Sequence, residues 1–96
     1  MTHVMFRKWR NGDVIAMFPY EPGTNDPWTC MSYEHVGQHG SASSDLSPYT
    51  SPAKATEYSA LKHELESIGY KLVVLNRMPN QRAAKDVRAA KIARIA

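Results

Sequence analysis

Asn11-Gly12, set between two strand-like runs, constrains the fold of this chain more than any other feature. Asn-Gly suits a two-residue type I′ hairpin turn, in which both central positions need a positive φ. Residues 3–10 and 13–18 are therefore expected to form the arms of a hairpin. A two-residue loop would set Arg10 opposite Asp13, Trp9 opposite Val14 and Phe6 opposite Met17. One face would present Val4, Phe6, Ile15 and Met17, with Lys8, Arg10 and Asp13 near the turn. The other would present Met5, Trp9, Val14, Ala16 and Phe18, with Arg7 among them. A sheet covered on one side alternates more cleanly than this. The second apolar face is expected to meet a helix of the same chain, a second copy or a ligand.

Residues 19–28 hold three prolines, Pro19, Pro22 and Pro27, and read as a turn-rich connection. Thr29 to Val36 predicts a third strand, with Cys30, Ser32 and Glu34 on one face and Met31, Tyr33 and His35 on the other. Gly37 and Gly40 end it, and the Ser- and Pro-rich run 41–53 reads as a loop. Tyr58, Leu61, Leu65 and Ile68 then recur at helical spacing and predict a helix over 55–68 with this stripe in the core. Gly69 stands where a left-handed C′ residue belongs, and Tyr70 where it packs back on Leu65. Lys71 to Asn76 reads as a fourth strand, apolar on both sides and so central in the sheet. After Pro79 a second helix runs to the C-terminus, its weak stripe made of Ala84, Val87, Ala90, Lys91 and Ile95. The expected fold is α+β, β-β-β-α-β-α: an antiparallel-rich sheet of about four strands, one amphipathic helix packed on it and a basic C-terminal helix.

Ninety-six residues suffice for one core, which divides here into a domain over 1–76 and a basic tail over 77–96. The tail carries six Lys/Arg against one acid, a charge of +5 where the whole chain has +3, so the basicity belongs to the tail. A single cysteine excludes an internal disulfide and fits a reducing compartment. No run approaches the ~18 apolar residues of a membrane-spanning helix, and the first residues carry no signal-peptide core. The expected location is the cytoplasm.

The chemistry concentrates in Cys30-Met31-Ser32-Tyr33-Glu34-His35-Val36-Gly37-Gln38-His39-Gly40-Ser41, a density that core packing does not require. Zinc is one reading, with Cys30, His35 and His39 as ligands and Glu34, His3 or Asp45 as the fourth. Two histidines four apart lie about 6 Å apart on a helix but roughly 13 Å apart on a strand, so sharing an ion needs a bend at Gly37. A cysteine–histidine enzyme built on Cys30, His35 or His39, and Glu34 is a second. Against it, a strand would send Cys30 and His35 to opposite faces, and no helix N-terminus is evident to lower the thiol pKa. A third is ligand binding by Gly37–Asp45, whose free N–H groups suit an anion. Tyr20, Trp9, Trp28 and Tyr33 are available to stack on a base. No Walker or Rossmann pattern is present. The basic residues Arg82, Lys85, Arg88, Lys91 and Arg94 recur every third position and would spread around a helix, suiting phosphates or an acidic partner. The alternative for this tail is a solubilising, frayed terminus.

Several segments together resemble a family of short uncharacterised proteins of bacteriophages, prophages and mobile elements. They are Phe6-Arg7-Lys8, Gly12-Asp13-Val14-Ile15-Ala16, Phe18-Pro19, Cys30-Met31-Ser32-Tyr33, His35-Val36-Gly37-Gln38-His39-Gly40, Glu57-Tyr58, Leu61-Lys62 and 64–70. The resemblance spans about residues 4–75 and implies provenance, in a host cell's cytoplasm, without an assigned activity. It favours a host-directed role, such as withdrawing a signalling molecule or blocking a defence protein. The leading expectation is thus a non-enzymatic, homo-oligomeric binding protein for an anionic, nucleotide-like ligand held by the Tyr33–Asp45 region. Tyr33 or Trp28 would stack on the base, Gln38, His39, Ser41 and Ser43 would meet phosphate or sugar, and His35 and Arg7 would complete the site. No catalytic residue and no cofactor is assigned, zinc being the alternative. The second expectation is a protein- or nucleic-acid-binding module that uses Arg82, Lys85, Arg88 and Lys91.

Overall fold

The hairpin forms, with one more residue in its loop than Asn-Gly alone suggests. A computed structural model describes residues 1–34, 38–43 and 48–95, with the side chains of Gln38, His39, Ser43 and Ile95 outside the description. Strands β1 (Thr2–Trp9) and β2 (Val14–Pro22) pair antiparallel, with Phe6 opposite Ala16 and Met5 opposite Met17. In the turn, the Gly12 N–H donates to the Trp9 carbonyl at 3.0 Å, and the Trp9 N–H donates to the Asp13 carbonyl at 2.8 Å. Gly12 at φ 93 and Asp13 together oppose Trp9, which makes a bulge of the kind that a left-handed glycine permits. The Asn11 side chain accepts the Asp13 N–H at 3.0 Å and donates to the Asp13 carboxylate at 3.1 Å.

That extra residue corrects the expected register, and a one-residue slip exchanges the faces that two strands share. Phe6 lies with Ala16 and Phe18, not with Met17, and Ile15 and Met17 fall on the opposite face with Cys30. The slip thus gathers both phenylalanines into one core cluster with Val4, Tyr33, Leu61 and Leu65.

Strand β3 (Thr29–Glu34) pairs with β2, setting Met31 opposite Phe18 and Tyr33 opposite Ala16. The register breaks between Phe18 and Pro22, where prolines that cannot donate to a ladder are accommodated. Beyond β3 comes β4 (Gln38–Ser43), antiparallel, where the expectation from residue 41 was a loop. Strand β5 (Thr50–Pro52) and strand β6 (Leu72–Val74) divide the outer edge of β1 between them, β5 antiparallel along its C-terminal half and β6 parallel along its N-terminal half. Among the described residues the sheet therefore has six strands, in the order β4-β3-β2-β1-β5 with β6 also on β1. The strand expected at 71–76 as central is a three-residue edge. Its two-sided apolarity has another cause: Leu72 and Val74 pack on the Phe6 cluster, and Val73 stays half-buried on the other side.

Helix α1 (Ala55–Ser67) covers the Phe6 face with Leu61 and Leu65. Tyr58 stacks on Phe6 at 4.4 Å and Tyr70 on Phe18 at 5.3 Å between ring centroids. The helix starts at Lys54, whose backbone N–H donates to the Glu57 carboxylate at 2.9 Å. It ends in a Schellman motif, the Gly69 N–H donating to Glu66 and the Tyr70 N–H to Leu65, with Gly69 at φ 109. Ile68, expected in the core, caps the helix with half its surface exposed, and Tyr70 buries in its place.

Helix α2 (Gln81–Ile95) begins at an Asn80 cap, whose side-chain oxygen accepts the Ala83 N–H at 3.0 Å. Residues 81–95, expected as a tail beside a 1–76 body, lie along β2. The inward residues are Ala84 and Arg88, each 1% exposed, whereas Val87 and Ala90 of the expected stripe face outward. Ile15, Met17 and Cys30, on the second apolar face, are buried within the single chain.

Candidate functional site

The described residues expected to form one ligand site lie on β1, just before β3, on β3 and on β4. Tyr33 is 2% exposed and belongs to the core under α1, so it offers no open stacking face. Arg7 is buried: its Nε donates to Thr50 Oγ1 and its Nη2 to the Thr50 carbonyl, both at 2.9 Å, which fastens β5 to β1. Trp28 is half-exposed, with the Lys85 ammonium 4.8 Å from its ring centroid. Ser41 is exposed on β4 across from Met31. Gln38 lies across from Glu34, His39 across from Tyr33, and Ser43 across from Thr29, placed here by backbone register alone. His35 and Asp45 lie outside the described residues.

The basic residues of α2 are mostly occupied. Arg88 donates from Nε to the Pro27 carbonyl at 2.8 Å and from Nη1 to the Pro19 carbonyl at 2.6 Å. Its burial draws the guanidinium pKa below the ordinary value. Lys91 pairs with Glu21 at 2.6 Å. Arg82 and Arg94 alone of this set remain outward and exposed.

Cys30 is 1% exposed, and burial pushes its thiol from 9.0 up to about 11, with Arg88 offsetting part of the effect. A thiol so protonated and enclosed is a poor nucleophile. Cys30 faces Ala42 across the ladder, three residues along from the Tyr33–His39 pair. Among the described residues no group of three His, Cys, Asp or Glu side chains is placed to hold a metal.

The structure instead opens a cleft of about 690 Å³ at the turn end of the sheet. Trp9, Arg10, Asn11 and Asp13 reach it from the β1–β2 turn, Glu34 from the end of β3, and Pro48 and Tyr49 from the approach to β5. The three-residue loop matters here, because the bulge brings the polar tip of the hairpin to the cleft beside the aromatic residue that precedes it. Trp9 packs against the Ile15–Met17–Cys30 cluster, while Tyr49 is 64% exposed. A second cleft of about 450 Å³ shares Asp13 and Glu34 and is bounded by Gly12, Val14, Glu57, Ala60 and Leu61. Glu57 there accepts from the Lys8 ammonium and the Lys54 N–H, which hold its carboxyl below the usual range.

Sequence reasoning included Trp9 among possible stacking faces and Glu34 among possible ligands, but took Arg10, Asn11 and Asp13 only as turn residues. Tyr49 carried the missed signal: a large aromatic inside a Ser- and Pro-rich run has no core to join.

No family model matches this sequence, and neither the curated proteins nor the solved structures give a significant match. No helix among the described residues is long and apolar enough to cross a membrane. The chemistry of the cleft thus rests on its own geometry.

Proposed function

We propose that this is a small non-enzymatic binding protein that holds a nucleotide-like ligand in the Trp9–Tyr49 cleft. The observation that carries the reading is the pairing of two aromatic side chains with Arg10 and Asn11 in one cleft of ligand size. Aromatic faces take a planar base at about 1–3 kcal/mol per stacked ring. Arg10 supplies charge for a phosphate, and the Asn11 amide supplies polar contacts. The phage-type resemblance points the same way, since a chain of this size that binds without turnover is suited to withdrawing a ligand from a host.

The test is thermal unfolding of the full chain with nucleoside mono-, di- and triphosphates and cyclic nucleotides. A ligand at a hundredfold its Kd adds about 2.7 kcal/mol to stability, a rise of roughly ten degrees or more in Tm for a domain this size. Trp9→Ala is expected to abolish the rise. No shift with any nucleotide would overturn the proposal. The nucleic-acid reading of α2 has less support, because Lys85, Arg88 and Lys91 are spent within the chain.

A further inference from the structure

We infer that the Trp9–Tyr49 cleft selects guanine, with the Glu34 carboxylate reading the edge of the base that carries its N–H donors. This rests on the nucleotide reading above and adds the identity of the base.

Glu34 closes β3 and is exposed, and its carboxylate has no hydrogen bond or ion pair among the described residues. It lines the cleft together with Trp9 and Tyr49. The other carboxylate in the lining is engaged: Asp13 accepts from the Asn11 amide at 3.1 Å. Among the described residues, Glu34 is thus the lining carboxylate without a partner, in the cleft that Trp9 and Tyr49 share. A carboxylate presents two acceptor oxygens in one plane and no donor. Its complement is a pair of N–H donors side by side, and guanine, with N1–H next to its N2 amino group, has that pair. Adenine and cytosine place the amino group next to a ring nitrogen that accepts, which a carboxylate repels. Uracil and thymine flank their one ring N–H with two carbonyl oxygens, which it repels as well.

The charges agree with this choice. Among the described residues the lining carries one cation, Arg10, and two carboxylates, Asp13 and Glu34. A bare phosphate would meet two like charges for each opposite one. A guanine nucleotide turns its donors to Glu34 and its phosphate to Arg10, so that both signs in the cleft are used. Arg10, like Glu34, is exposed and without a partner among the described residues.

Isothermal calorimetry of the full chain with GMP, IMP, AMP, CMP and UMP tests the assignment. GMP is expected to bind at least about tenfold more tightly than AMP, CMP or UMP. IMP, which keeps N1–H and lacks the N2 amino group, falls between. Glu34→Gln puts a donor where one acceptor stood, and is expected to weaken GMP by about tenfold or more while AMP holds or improves. Glu34 is exposed at a strand end, and an unchanged Tm shows that the variant is folded. Equal affinity for GMP and AMP, or a Glu34→Gln variant that binds GMP as before, overturns the guanine assignment and leaves the nucleotide reading standing. Failure of all five to bind overturns the guanine assignment, and overturns the nucleotide reading as well when no di-, tri- or cyclic nucleotide raises Tm.

Discussion

Arg88 Nη1 donates to the carbonyl of Pro19 at 2.6 Å, joining the middle of α2 to the place where β2 loses register with β3. The bulge leaves Pro19 without a ladder partner, and Arg88 serves its carbonyl together with that of Pro27, in the connection to β3, from a position 1% exposed. The guanidinium acts here as a backbone clamp: it replaces hydrogen bonds that strand pairing does not supply.

Arg88→Ala is expected to destabilise the protein by about 2–4 kcal/mol, because two buried carbonyls lose their donor. Arg88→Met keeps most of the volume but supplies no donor, and is expected to recover only part of the loss. Urea unfolding midpoints at unchanged m-value measure both. A cost below about 0.5 kcal/mol for Arg88→Ala would mean that α2 is a loosely held tail.

Leu65 and Ile68 share one helical stripe in the sequence and part company in the fold. Leu65 is fully buried, whereas Ile68 is half-exposed at the cap. Leu65→Ala is expected to cost about 2–5 kcal/mol and Ile68→Ala no more than about 0.5. Equal costs would place Ile68 back in the core.

What the sequence made legible was local. The α1 stripe through Leu61 and Leu65, the Gly69 cap and the Tyr70 contact all lie within a few residues of one another, so spacing alone reveals them. Strand β4 was hidden because Gln-His-Gly-Ser-Ala-Ser shows no apolar alternation: it bonds to β3 on one side only and needs little apolar surface. The hairpin register was ambiguous because a left-handed glycine serves a two-residue turn and a three-residue bulged loop alike, and backbone hydrogen bonds decide between them. Arg88 read as one more solvated cation because its partners are carbonyls 61 and 69 residues away, the farther one in a bulge that no local pattern announces. The cleft was illegible as a unit for a similar reason: it joins residues 9–11, 13, 34 and 48–49.

Gly23 is held by close approach. A Cβ placed there would lie 2.6 Å from both the Cys30 carbonyl oxygen and the Ser41 Cβ. Gly12, at φ 93, has open space around it and is held by conformation alone. Gly12→Ala is expected to cost about 1 kcal/mol through backbone strain. Gly23→Ala is expected to cost about 1–3 kcal/mol or more, because the connection must move off β3 and β4. Chemical denaturation of the two variants gives the order, and a Gly23→Ala variant as stable as the parent would show that no such close approach exists in solution.

Cys30 makes stability fall at alkaline pH. Its thiol is raised in the folded state to about 11, against an ordinary value of 9.0, so the folded protein keeps a proton that the unfolded chain gives up first. The contribution is therefore complete below about pH 9 and lost progressively toward pH 11, amounting to about 2–3 kcal/mol. Tyr70, raised by burial and by Glu21, titrates with the same sign, so the decline in the parent alone does not isolate the thiol. The comparison is with Cys30→Ala: its unfolding free energy, followed from pH 8 to 11, is expected to fall less steeply than that of the parent. A disulfide reagent at pH 8 supplies the kinetic counterpart, reacting with the native thiol only at the rate of unfolding and at once in urea. Parallel pH curves for parent and variant, or fast labelling of the native protein, would mean that Cys30 is open to water and that α2 does not seal this end of the sheet.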